Sequence, residues 1–148
     1  MFQLLQIIAI TTIVIKITLR GHVRVLLLKT FRRYQRREGI TDAALTDAIR
    51  RAERGLIDGA LGGGLIKQRV ARQGGGKSGG YRTIIACRQG ERAVFLVGFA
   101  KSGLDNIADD ELAQLKTLGA AALAQDDKTT AAALACGILW EIDYDDET

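Results

Sequence analysis

Between Lys67 and Lys101 the chain carries Lys67, Arg69, Arg72, Lys77, Arg82, Arg88, Arg92 and Lys101 against one acid, Glu91. These cations flank a glycine loop, Gly74-Gly75-Gly76-Lys77-Ser78-Gly79-Gly80, and then run into strand-like sequence. Ammonium and guanidinium groups at this density, beside backbone that a ligand can approach closely, suit the holding of phosphates.

The wider charge pattern points the same way. Residues 20–101 hold 18 Lys and Arg against 6 Asp and Glu, a net +12, whereas residues 102–148 hold 2 against 11, a net −9. The overall charge of +4 therefore conceals a basic body with an acidic tail. A nucleic-acid partner for the body is the functional reading, and a solvated basic face is the plain one.

Two nucleotide-binding patterns compete for the glycine loop. Gly74 to Gly79 satisfies G-x-G-x-x-G, and Gly76-Lys77-Ser78 resembles the end of a phosphate-binding loop. Both patterns need a following helix to aim backbone N–H groups at phosphate. Here the first glycine of the longer pattern falls on Ala71, and Tyr81-Arg82-Thr83-Ile84-Ile85 reads as a strand. No nucleotide cofactor is expected. Nor is a metal, because Cys87, Cys136 and the lone His22 have no ligand spacing. The two cysteines read as reduced thiols in a cytoplasmic protein.

The elements that must position the cations are legible from Val23 onward. Leu26 to Leu28 suggests a first strand; Thr30 is expected to cap a helix that Gly39 closes, with Phe31 and Tyr34 on one face. Thr41 caps a second helix carrying Leu45, Ala48 or Ile49, Ala52 and Leu56 at helical spacing, so the two form a helical hairpin. After Gly59 to Gly64 come three strands, at 65–72, 81–88 and 93–99, the last two joined through Arg88-Gln89-Gly90-Glu91 as an antiparallel hairpin. Asp109, Asp110 and Glu111 open a further helix with an expected apolar stripe of Leu112, Leu115, Leu118 and Ala122. A short Ala-rich helix, Thr130 to Ala135, leads to a strand in which Trp140, Ile142 and Tyr144 share one side.

The fold class expected is α+β: an N-terminal helical hairpin packed on a small antiparallel sheet with a C-terminal helix. Its 148 residues make one domain, with 23–125 as the functional unit and 126–148 as a short helix, strand and acidic tail. Residues 1–22 read as an apolar extension outside that unit. Phe2 to Ile15 is uncharged, but Lys16 interrupts the run before it reaches the length of a spanning helix, and no signal-peptide pattern is met. A membrane partner is not expected.

The order of helical hairpin, basic strand, Lys77-Ser78-Gly79-Gly80-Tyr81-Arg82, apolar strand pair and Gly98-Phe99-Ala100-Lys101 resembles the RelE/ParE superfamily of bacterial toxins, more narrowly its HigB-like RelE branch. The resemblance spans about residues 28 to 125. It implies a toxin of a type II toxin–antitoxin system that cleaves mRNA in the ribosomal A site, with the ribosome, mRNA and a cognate antitoxin protein as partners. A gyrase-inhibiting toxin of the ParE kind and a non-catalytic RNA- or membrane-surface-binding module are the alternatives.

Cleavage by attack of a 2′-hydroxyl on the adjacent phosphate needs proton removal, stabilisation of added negative charge and protonation of the leaving 5′-oxygen. The resemblance places this work on a Lys/Arg cluster, with Arg82 holding the scissile phosphate through its planar fork. Lys67 and Arg69, two apart on the preceding strand, should share a face and flank the same phosphate. Tyr81 is counted with Arg82, Lys67 and Arg69 in the catalytic group, where its ring could stack a base or fill the core. Arg72, Lys77, Arg88 and Lys101 are expected to bind RNA, with Arg72 at odd spacing from Arg69 and so aimed away from it unless the strand has ended. The chain departs from the family where Ser102-Gly103-Leu104-Asp105 lacks a further arginine and where Ile107 and Ala108 stand in place of a tyrosine. Those departures weaken the means of proton transfer.

Overall fold

The computed structural model describes residues 23–72, 79–88, 90–99 and 107–144. Strand β1 (Arg24–Leu28) is followed directly by helix α1 (Lys29–Glu38) and then by α2 (Asp42–Glu53). Strands β2 (Gly59–Gly62), β3 (Leu65–Val70), β4 (Tyr81–Arg88) and β5 (Arg92–Phe99) come next. Helices α3 (Asp109–Ala124) and α4 (Asp127–Ala135) precede strand β6 (Leu139–Ile142).

The class is α+β, with a six-stranded sheet in the order β2-β3-β4-β5-β1-β6. The sheet is mixed: β1 runs parallel to β5, and every other neighbour is antiparallel. The expected hairpin of β4 and β5 is present, with a register shift between Ile84 and Ile85. Central strands buried on both faces read as continuous apolar runs. Val25 and Leu27 of β1 therefore join the core under α1 and α2, while Leu26 joins the core under α3 and α4.

The helical hairpin forms as expected, with two local corrections. Helix α1 begins at Lys29 without a side-chain cap, so Thr30 does not cap it. The chain enters the helix straight from β1, and the Lys29 N–H, an orphan of the first turn, donates to the carbonyl of Ile138 at 3.0 Å. Gly39 closes the helix at φ 69°, the left-handed geometry that glycine accepts without strain. In α2 the Thr41 hydroxyl accepts from the N–H of Ala44 at 3.1 Å, as a capping residue should. Leu56 does not extend the α2 stripe: Gly55 at φ 81° has already ended the helix, and Leu56 is 62% exposed.

Three further details differ from expectation. Residues Gly59–Gly62, read as glycine punctuation, form the edge strand β2 against β3. The expected strand at 65–72 ends at Val70. Helix α3 buries Gly119, Ala122 and Leu123, with Leu112 and Leu115 half-buried and Leu118 exposed. At 3.6 residues per turn Gly119 follows Leu115 on the inner line better than Leu118 does. A Cβ on Gly119 would stand 2.8 Å from Leu65 Cδ1, so the missing side chain is what lets α3 settle on the sheet.

Ile142 and Tyr144 are buried on the side that carries α1 and α2, as the alternation implied, and Trp140 lies on that same side at the sheet edge. No helix among the described residues is long and apolar enough to cross a membrane.

Candidate functional site

Strand register decides which cations meet. Arg69 on β3 stands directly opposite Arg82 on β4, and Lys67 stands opposite Ile84. Residues opposed in this way, and residues two apart on one strand, share a face. Lys67, Arg69 and Arg82 therefore leave the sheet on the side where Ile84 and Ala86 pack under α3. Phe99 on β5 is opposite Arg82 and joins them.

Two guanidinium side chains on facing residues, with Cα atoms about 5 Å apart, repel each other. The Arg82 side chain is half-buried, and its Nη1 is buried with no hydrogen-bond partner among the described residues. A buried donor left without an acceptor costs about 1–3 kcal/mol. An oxyanion beside Arg82 would satisfy that donor. Lys67, half-buried, lies across Gly59 of the edge strand, where an added Cβ would come within 2.6 Å of Lys67 Cε.

The backbone that carries this cluster is fixed from the opposite face. Gln68, buried between the two basic residues, donates from Nε2 to the carbonyls of Ala48 and Leu56, both at 3.0 Å, and accepts from the Asp58 N–H at 3.2 Å. The Asp58 carboxylate accepts from the Arg69 N–H at 2.6 Å, and Arg51 donates to the Arg69 carbonyl at 2.6 Å. Thr83 donates to the Gln68 carbonyl at 2.8 Å, tying β4 to β3 beside Arg82. Gln68, Asp58 and Gly59 were not singled out from sequence. The available signal was Gln68 itself, a polar residue at an inward position between Ile66 and Val70.

The glycines of the two recognised elements have spatial reasons. A Cβ on Gly80 would stand 2.8 Å from the carbonyl oxygen of Val70, so β4 can begin close to the end of β3 only without one. A Cβ on Gly98 would fall within the ring of Tyr34. That ring lies edge-on to Tyr81 at 6.2 Å, and its hydroxyl donates to the Phe99 carbonyl at 3.3 Å. Burial, reinforced by Glu38, raises the Tyr34 pKa, which keeps the phenol in its donating form.

The other expected site residues are placed elsewhere. Tyr81, adjacent to Arg82, points to the opposite face; its hydroxyl donates to the Glu38 carbonyl at 2.9 Å and Arg72 lies over its ring at 5.9 Å. Together with Glu38, Ile40, Thr41 and Ala44 these two line a cleft of about 350 Å³. Arg88 is six residues from Arg82 along β4, about 20 Å away, in an exposed ion pair with Glu91 at 3.5 Å. Arg92 is buried and donates to the carbonyl of Ala122 at the end of α3, a structural use of its charge. Lys77 and Lys101 lie outside the described residues, as do Leu104 and the rest of the departing segment up to Asn106. Ile107 packs against the core under α3.

Chemically, the assembled group of Lys67, Arg69 and Arg82 offers charge stabilisation and two kinds of donor. No histidine stands among the described residues, and no group of His, Cys, Asp and Glu there could hold a metal ion.

Comparison with curated proteins finds no match to this chain. The family model described as the RelE toxin of the RelE / RelB toxin–antitoxin system matches residues 23–142, from the first residue described to the end of β6. With the match covering most of its length, this chain belongs to the RelE toxin family.

Proposed function

We propose that this toxin is a ribosome-dependent mRNA endonuclease in which Arg82, Arg69 and Lys67 surround the scissile phosphate. The observation that carries this reading is the facing of Arg69 and Arg82 across β3 and β4, with a buried Arg82 donor left unsatisfied. The 2′-oxygen attacks phosphorus, the bond to the 5′-oxygen breaks, and the products are a 2′,3′-cyclic phosphate and a 5′-hydroxyl. The guanidinium groups stabilise the charge that develops on the non-bridging oxygens, and the Lys67 ammonium supplies a proton to the leaving oxygen. The proton of the attacking hydroxyl passes to water or to a group of the ribosome, which fits dependence on the ribosome.

Tyr81 and Arg72 have no part in this step, because the sheet separates them from Arg82. Lys77 and Lys101 are proposed to hold the RNA backbone. The motif residues Ser78 to Arg82 and Gly98 to Lys101 support the HigB-like branch. A toxin of this family is paired with an antitoxin, and we propose that it blocks access to the Arg82 cluster.

Mapping mRNA 5′ ends on ribosomes after brief expression tests the reading. Breaks inside A-site codons are expected for the wild type and not for Arg82→Ala. Growth arrest with DNA damage signalling and no such breaks would favour a gyrase poison instead.

A further inference from the structure

Three arginines stand in a row across neighbouring strands. Register pairs Arg24 of β1 with Arg92 of β5, and Arg92 with Arg88 of β4. Residues opposed in this way share a face, and with strands about 4.8 Å apart the row spans about 10 Å. Like charges placed side by side repel, so three in succession call for compensation.

The side chains around the row supply it only in part. Glu141 accepts from Arg24 Nε at 2.7 Å and from Nη2 at 3.1 Å, while the exposed Asp127 stays 3.9 Å from Arg24 Nη1. Arg88 is matched by Glu91 at 3.5 Å, both side chains exposed, an arrangement that contributes little in water. Arg92 is only 8% exposed and forms no ion pair with a described residue. Its hydrogen bond from Nη1 to the Ala122 carbonyl, at 3.1 Å, uses one of the five donors of its guanidinium. Burial, and then the charges of Arg24 and Arg88, lower the Arg92 pKa. Where α3 gives way to α4, the three arginines border a cleft of about 260 Å³ together with Glu91, Gln125 and Asp127. Gln125 Oε1 is buried with no hydrogen-bond partner among the described residues.

We propose that this cleft binds a small phosphate monoester bearing hydroxyl groups, its phosphate on the arginine row and a hydroxyl donating to Gln125 Oε1. The ligand class follows from the donors. A carboxylate offers two oxygens, and Arg24 already holds one such group in Glu141. A phosphate dianion offers three terminal oxygens, one toward each guanidinium, and its second charge competes well with the loosely held Glu91 for Arg88. With those three oxygens on the arginines, inorganic phosphate has no donor placed for Gln125, whereas the hydroxyls of an ester extend beyond the phosphate. The cleft falls just short of the roughly 300–1,000 Å³ of drug-sized ligand sites, so its occupant is small. Arg88 is about 20 Å along β4 from Arg82, and the site does not depend on whether this chain cleaves RNA.

Isothermal titration calorimetry of the full chain, at fixed ionic strength in buffer free of phosphate and sulfate, tests the proposal with glucose 6-phosphate, adenosine 5′-monophosphate and inorganic phosphate as probes. Saturable binding of at least one ester is expected, tighter than that of inorganic phosphate. Arg88→Gln, at the exposed end of the row, should weaken it about tenfold, the worth of one charge-assisted hydrogen bond. Gln125→Leu should bring the affinity for the ester down toward that for inorganic phosphate, and Arg82→Ala should change neither. Absence of saturable binding would overturn the inference, as would inorganic phosphate that binds as tightly as the esters, or affinities that Arg88→Gln does not move. Binding lost in Arg82→Ala would overturn it too, because the phosphate would then sit in the other cluster.

Discussion

Arg82 combines a half-buried position, a facing arginine and an unsatisfied buried Nη1, a donor that an anion would satisfy. Loss of a charge-stabilising donor aimed at a developing oxyanion typically lowers a rate by about 10²–10³. Arg82→Ala should reach that range, and Arg82→Lys should recover only part of it, because a point charge replaces a planar fork. Gly59→Ala should leave the melting temperature nearly unchanged, since the Cβ meets only the flexible end of Lys67, yet lower cleavage by displacing that ammonium. The cysteines give an independent check on the core. Burial pushes the Cys87 thiol up to about 12, whereas Cys136 is exposed. Iodoacetamide at pH 8 should label Cys136 in the folded protein and Cys87 only after unfolding, as read by peptide mass spectrometry. Because the folded state holds the Cys87 proton past its ordinary value near 9, this group's share of stability is present below that pH and is lost as pH rises toward about 12. Strand alternation already separates Tyr81 from Arg82; adjacency within one recognised element drew them together in the sequence reading, and the pleat keeps them apart.

Among the elements, legibility followed whether a side chain or the main chain did the work. Thr41 announces the start of α2 because its hydroxyl is the cap, while α1 starts unannounced because the distant Ile138 carbonyl takes the Lys29 N–H. Strand β2 was hidden for a similar reason. Its glycines carry no alternating pattern, and its hydrogen bonds come from pairing with β3. Gln68 is the element-level anchor of the site, joining α2, the following loop and β3 at once. Gln68→Leu would strand the Asp58 N–H and two carbonyls, and should cost at least about 1–3 kcal/mol by chemical denaturation. Activity should fall with it, since Lys67 and Arg69 flank that position. Thr41→Ala, remote from the cluster, should cost about 0.5–2 kcal/mol and leave cleavage by the folded fraction unchanged.

The molecule as a whole is a sheet with different business on its two sides. The Lys67, Arg69 and Arg82 cluster shares one side with α3, and the basic helix α1 covers the other. The basic body and the helical hairpin were evident from composition and periodicity, but the parallel pairing of β1 with β5 and the order of strands depend on contacts between residues distant in sequence. The partition of cations between the two faces depends on register. The most direct test of the central claim is the single-turnover cleavage rate of mRNA on programmed ribosomes, measured for wild type and Arg82→Ala with the new 3′ ends analysed chemically. The account predicts 2′,3′-cyclic phosphate ends and a rate about 10²–10³ lower for the variant; equal rates, or ends of another kind, would contradict it.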